Sequence, residues 1–169
     1  MGSDNVGQIE ASKTHKSVNR RTVMKGLIQR VSCARVCVEK EVIGRIGFGV
    51  LLFVAFEKGD SAAKLAPFLE KTLRYRIFSD SKGLMNRSLL DVSGDLLIVS
   101  QFTLASNTKK GLRPSFSPGL PSEDAKSLYN DLVRQAKKEF DIKVEAGRFG
   151  SDMEVTLTNF GPVTFMLDF

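Results

Sequence analysis

The chain holds one histidine, His15, in a polar N-terminal stretch. A Ser-His-Asp or Cys-His centre is therefore not expected, because the rest of the sequence has no imidazole to act as a base near pH 7. Cys33 and Cys37 stand four apart, so both face one side of an extended strand. With no histidine or further cysteine beside them, they read as free or packed thiols rather than metal ligands. No phosphate loop, dinucleotide fingerprint or metal-binding histidine pair occurs. Asp91, Asp95 and Asp141 show no pairing that would make a two-carboxylate site. The expectation is no metal and no cofactor, and any catalysis must work without the usual bases.

Two segments stand out against that background. In Ser100-Gln101-Phe102-Thr103-Leu104 an apolar strand ends in polar groups and runs into a cationic loop carrying Lys109, Lys110 and Arg113. Composition alone reads this as a core strand followed by a solvated loop. Asn159-Phe160-Gly161-Pro162-Val163-Thr164 places a Gly-Pro pair between two strand-like stretches, and its plain reading is a hairpin turn.

The elements that must position these segments are legible from periodicity. Gly26 to Val36 is strand-like, with Leu27, Gln29 and Val31 on one side and Ile28, Arg30 and Ser32 on the other. Val36–Val38 and Val42–Ile46 read as short strands. The continuous apolar run through Val50-Leu51-Leu52-Phe53-Val54-Ala55-Phe56 suits a strand buried on both faces. A helix capped by Asp60 or Ser61 would align Ala62, Leu65, Phe68, Leu69 and Leu73. Pro67 requires that helix to start later than its cap or to bend, because an interior proline removes a hydrogen bond. Asp95–Leu104 reads as a strand. Ser122–Phe140 reads as a second helix, with Ala125, Leu128, Leu132, Ala136 and Phe140 as its stripe and Glu123 and Asp124 favouring its start. Ile142–Val144, Met153–Thr158 and Val163–Leu167 close the chain as strands. Many strands and two main helices without regular alternation predict an α+β domain with a curved, barrel-like, largely antiparallel sheet.

Length and charge bound the rest. At 169 residues, 42% hydrophobic and 26% charged, the chain has the size and balance of one globular domain. Residues 1–23 read as a disordered extension, and 24–169 as the domain. The extension lacks the apolar stretch of a secretory signal, so cytoplasm is the expected compartment. The longest apolar run, Ile46–Phe56, is about half of what a membrane helix needs, and no membrane partner is expected. The formal charge of +6 is compatible with a polyanionic partner.

Ser100–Leu104 and Asn159–Thr164 resemble the paired signature motifs of the D-aminoacyl-tRNA deacylases, also called D-tyrosyl-tRNA deacylases. Leu27-Ile28-Gln29-Arg30-Val31, the Leu73–Phe78 segment, Arg113-Pro114-Ser115-Phe116 and Gly147-Arg148-Phe149-Gly150 fit the same family, in register from Met24 nearly to the C-terminus. Neither signature departs from the family pattern; the N-terminal extension and Pro67 are the unusual features.

The resemblance implies hydrolysis of the ester joining a D-amino acid to the 3′-terminal adenosine of tRNA. It also implies a homodimer in which each active site is completed by the other subunit's Gly161-Pro162, joined by a cis bond. Carbonyls of that turn would take the substrate's ammonium and exclude the L side chain. Ser100, Gln101, Phe102 and Thr103 would shape the catalytic pocket, with backbone N–H groups and the RNA's own 2′-hydroxyl assisting. Thr103 as nucleophile is the rival route. Phe149 and Met153 would form an adenosine pocket, Arg30 would hold the Gly-Pro segment, and Lys109, Lys110 and Arg113 would meet tRNA phosphates. Glycyl-tRNA should also be cleaved, since glycine has no side chain to exclude. A non-enzymatic nucleic-acid-binding module and a generic esterase using Thr103 are the alternatives.

Overall fold

The computed structural model describes residues 24–169, so the reading of 1–23 as a disordered extension lies outside the described residues. The elements in chain order are β1 (Lys25–Val38), β2 (Glu41–Ile46), β3 (Gly49–Ala55), α1 (Leu65–Arg74), β4 (Phe78–Ser79), β5 (Met85–Arg87), β6 (Asp95–Ser100), α2 (Ser122–Glu139), β7 (Val144–Ala146) and β8 (Glu154–Asp168). Six strands form one sheet in the order β2-β1-β3-β6-β7, with β8 on the remaining edge of β1. The β1 pairings with β2, β3 and β8 are antiparallel, while β3–β6 and β6–β7 are parallel. The sheet curls until β2 meets β7: a Cβ added to Gly44 would lie 3.2 Å from the Ala146 carbonyl. Lys143 Nζ also donates to the Arg45 carbonyl at 2.7 Å across the same gap.

The curled sheet divides the core in two. Outside it, α1 and α2 bring Leu65, Phe68, Leu69, Leu73, Leu128 and Leu132 against Ile28, Val50, Leu52, Val54, Leu96 and Ile98. Inside it, Val31, Ala34, Val36, Ile46, Leu51, Leu97 and Val99 pack together. Alternate residues of β3 and β6 therefore serve different cores, and this is why the Val50–Phe56 run is apolar throughout.

Several local expectations change. The β1 strand is one continuous element rather than two. Its outer-core residue Ile28 is even-numbered, as are its inner-core residues Ala34 and Val36, whereas the inner-core Val31 is odd-numbered. The strand thus switches faces, at a register irregularity between Val31 and Cys33. A bulge does this by inserting an extra residue into the period-2 alternation. The helix beginning at Leu65 places Pro67 in the first turn, where its missing N–H has no intrahelical partner to lose. A short 3₁₀ turn, Ala62–Lys64, precedes it without a side-chain cap. Asp60 accepts instead from the Glu57 N–H and Lys64 Nζ, both at 2.7 Å. The strand expected to run to Leu104 ends at Ser100, and the strand expected at Ile142–Val144 lies at Val144–Ala146. No helix among the described residues is long and apolar enough to cross a membrane.

Candidate active site

The end of β6 forms one wall of the site. Ser100 is the last residue paired with β3, and the Gln101 N–H still donates to the Val54 carbonyl at 2.8 Å. The backbone then leaves the sheet into a 3₁₀ turn, Phe102–Ala105, closed by Leu104 N–H to Gln101 O and Ser106 N–H to Thr103 O, both at 3.1 Å. The first amides of such a turn have no partner within it. Here they belong to Phe102 and Thr103. The turn swings the Phe102 side chain outward, 66% exposed, against the Phe116 ring at 5.0 Å between centroids.

The second wall is the segment after β7. The Gly147 N–H donates to the Ile98 carbonyl at 2.8 Å, carrying the β6–β7 pairing one step further. Tyr129 of α2 reaches up from the core, its hydroxyl 2.9 Å from the Ile98 carbonyl and 3.0 Å from that of Gly147. Burial pushes its pKa above the ordinary 10.0, so it stays a neutral donor. The Phe149 ring packs on Tyr129 at 5.7 Å. Met153 leans into the space a side chain at Gly147 would fill: a Cβ there would stand 2.7 Å from its Sδ. A side chain at Gly147 would have to displace that sulfur from the wall.

Between these walls lies a cleft of about 570 Å³. Ser100, Gln101, Phe102, Phe149 and Met153 line it together. Its third side comes from Phe116, Gly119 and Leu120 of the loop before α2, and from Ser122 and Ala125 of that helix. Leu120 N–H to Phe56 O, at 3.0 Å, and Lys58 N–H to Pro118 O, at 2.9 Å, fasten the loop to the end of β3. Among the lining residues Asp152 alone is ionisable. Tyr129 and Asp152 are absent from the sequence-based site. The i+3 and i+4 stripe of α2 places Tyr129 beside Leu128 and Leu132, but nothing local tells a core tyrosine from a brace.

Thr103 does not line the cleft, and its Oγ1 accepts a hydrogen bond from the Gln101 side-chain amide. Lys109, Lys110 and Arg113 are exposed on a loop pinched at its base by paired Asn107 and Ser115, and they lie outside the lining. Among the described residues they make no ion pair.

Gly161 and Pro162 lie outside this cleft as well. The hairpin reading of the segment is overturned, because Asn159 and Thr164 both belong to β8 and both pair with β1, to Val31 and Gln29. The residues between them form an outward bulge in one strand, with a cis Gly161-Pro162 bond and both residues exposed. Asn159 staples the bulge: its Oδ1 accepts from the Val163 N–H at 2.7 Å and its Nδ2 donates to the Val163 carbonyl at 3.2 Å. Gly161 sits at φ 154°, and a Cβ would come within 2.6 Å of Val163 Cγ2. Arg30, 7% exposed, donates from Nε to the Phe160 carbonyl at 2.7 Å and from Nη1 to the Ile77 carbonyl at 2.6 Å. Its guanidinium lies 5.2 Å from the Phe160 ring centroid. The sharing of charge-assisted hydrogen bonds between two carbonyls satisfies a buried cation without a carboxylate. Among the described residues, no cluster of histidine, cysteine and acidic side chains could hold a metal.

A family model described as D-Tyr-tRNA(Tyr) deacylase matches residues 27–168. A curated D-aminoacyl-tRNA deacylase of Xanthomonas campestris pv. campestris is 51% identical over 144 residues, covering 85% of this chain and 99% of its own length. One of Ectopseudomonas mendocina is 54% identical over 145 residues, with 86% and 99% covered. Among solved structures, one titled c-Myc DNA Unwinding Element Binding Protein superposes with TM-score 0.80 at 35% identity, covering 85% of this chain and 97% of the other. Another, titled as a probable eukaryotic D-amino acid tRNA deacylase, has TM-score 0.74 at 20% identity, with 87% and 100% covered, and shows the shared fold.

Proposed function

The chain belongs to the D-Tyr-tRNA(Tyr) deacylase family and is a hydrolase of the D-aminoacyl-tRNA deacylase type, and on that premise we propose how it works. Water adds to the ester carbonyl, the bond to the ribose oxygen breaks, and a free D-amino acid leaves an uncharged tRNA. The observation that carries the reading is the cleft itself: the end of β6, Ser100 to Phe102, and an aromatic and thioether wall, Phe149 and Met153, line the same space of about 570 Å³. The terminal adenosine sits against Phe149 and Met153, which contact a base without reading the rest of the RNA. Its ester lies against Ser100, Gln101 and Phe102.

The backbone amide of Phe102, at the cleft wall, is the donor for the developing oxyanion. No general base lines the cleft beyond the exposed Asp152. An aminoacyl ester is already activated, and its neighbouring 2′-hydroxyl can help orient water, so positioning supplies most of the rate. Thr103 as nucleophile is disfavoured, because its oxygen already accepts from an amide and has no base beside it.

Chiral selection is assigned to the Gly161-Pro162 bulge of a second copy, inserted into the open cleft. The exposed bulge, its rigid stapling by Asn159 and Arg30, and the exposed Phe160 and Met166 on the same edge strand support a homodimer of this kind. The carbonyls of the bulge bind the substrate ammonium, and their main chain leaves no room for an L side chain. Rejection therefore comes from a clash rather than from tighter binding of the D form. Residues 24–169 act as one catalytic domain, working in the cytoplasm, where charged tRNA is found. Lys109, Lys110 and Arg113 approach the tRNA backbone.

The test is release of D- and L-tyrosine from matched charged tRNAs. Release confined to the D form is expected. Indifference to hand points to a generic esterase, and no release points to a nucleic-acid-binding module. Glycyl-tRNA should be cleaved measurably; full resistance at enzyme levels that clear D-tyrosyl-tRNA ends the clash mechanism.

A further inference from the structure

A second concavity, of about 500 Å³, lies on the other side of the Tyr129–Gly147 wall. It is a shallow groove along one face of α2, built by Tyr129, Asn130, Val133, Arg134, Lys137 and Lys138 and floored by Ala146 and Gly147. The spacing of one and four residues puts those α2 side chains on a single stripe. Three cations line the groove and no acid does. Arg134 is tied to Asp131 at 2.6 Å, so Lys137 and Lys138 supply the uncompensated charge; among the described residues neither makes an ion pair. Exposed Arg148 stands between Gly147 of the groove and Phe149 of the cleft.

We infer that this groove binds the phosphodiester backbone of tRNA leading away from the terminal adenosine. The inference rests on the deacylase reading for which RNA enters, and on the shared wall for where it goes. The adenosine wall, Phe149, packs on Tyr129 at the head of the groove, and Lys137 lies about 12 Å further along the helix. A stacked strand advances about 3.4 Å per nucleotide, so the lysines meet phosphates about three to four positions back from the adenosine. Contacts to phosphate carry no base information and give sequence-independent affinity. The same lysines also offset the negative end of α2, a role that would touch stability alone.

The test is binding of uncharged tRNA by fluorescence anisotropy across 50–200 mM salt, a range in which phosphate contacts reveal themselves as counterion release. K137E/K138E should bind about tenfold or more weakly, with a log–log salt slope shallower by about 1.4–1.8, since each of the two lost phosphate contacts removes about 0.7–0.9. K137Q/K138Q should lie between it and the wild type, and keeps the test open if charge reversal unfolds the helix end. K40E/K82E carries the same change of net charge on two exposed turns and should bind within about twofold of wild type. Wild-type affinity and slope in both groove variants would overturn the inference, as would an equal loss in K40E/K82E. Failure of the deacylase reading is seen separately, as no release of D-tyrosine by the wild-type enzyme.

Discussion

Arg30 Nε donates to the Phe160 carbonyl at 2.7 Å, tying the middle of β1 to the start of the Gly161-Pro162 bulge. Because Nη1 holds the Ile77 carbonyl at 2.6 Å, the guanidinium fixes the bulge against the segment after α1 through one rigid fork. Lysine offers a single flexible point charge and cannot span both acceptors. Arg30→Lys is therefore expected to lower stability by about 1.5–3 kcal/mol, the usual range for a lost charge-assisted bond. If the bulge selects the hand of the substrate, the ratio of D- to L-tyrosyl-tRNA cleavage should fall at least tenfold. Thermal melts and paired deacylation assays check the two effects.

Gly147 and Met153 are coupled by close approach. Gly147→Ala should force Met153 out of the wall, destabilising the protein by about 1–3 kcal/mol and raising KM for charged tRNA. Adding Met153→Ala to that variant should recover most of the lost stability by vacating the space. Non-additivity in a double-mutant cycle is the readout; simple addition of the two losses would refute the coupling.

Thr103→Ala should keep most activity, within about fivefold of wild type, because the residue lies outside the cleft lining. A drop of about a thousandfold or more, the scale of losing a catalytic nucleophile, would restore Thr103 to the chemistry. A trapped acyl-Thr103 seen by mass spectrometry would do the same.

Tyr129→Phe removes the donor shared by the Ile98 and Gly147 carbonyls, and should reduce stability by about 1–3 kcal/mol near neutral pH. The pH dependence has a definite sign. Burial raises the folded-state pKa above the ordinary 10.0, so the folded form holds this proton more tightly than the unfolded chain. Its contribution is complete below pH 10 and is lost as pH climbs from there toward the folded value. Denaturant titrations at pH 8–11 should show wild-type stability declining more steeply at the alkaline end than that of Tyr129→Phe.

Burial preferences along the chain are legible in the sequence. An unbroken apolar run marked β3 as two-sided, helical stripes marked α1 and α2, and alternation marked Met153, Val155 and Leu157 as half-buried. Pro67 called for either a late start or a bend in α1, and the helix starts late, at Leu65. The clustering of Ser100, Gln101 and Phe102 with Phe149 and Met153 followed from family likeness, since no periodicity relates segments so far apart.

What amino-acid order determined alone is which face of each element avoids water, because side-chain direction repeats every two or 3.6 residues whatever the neighbours are. Partnership belonged to the tertiary structure. Whether Gly161-Pro162 turns a hairpin or bulges from one strand depends on Asn159 and Thr164 both finding β1, which is a pairing across more than a hundred residues. The same holds for Tyr129, an ordinary core residue until the ends of β6 and β7 bring two carbonyls to its hydroxyl. Local sequence fixes direction at each residue; only closure of the sheet selects which directions meet.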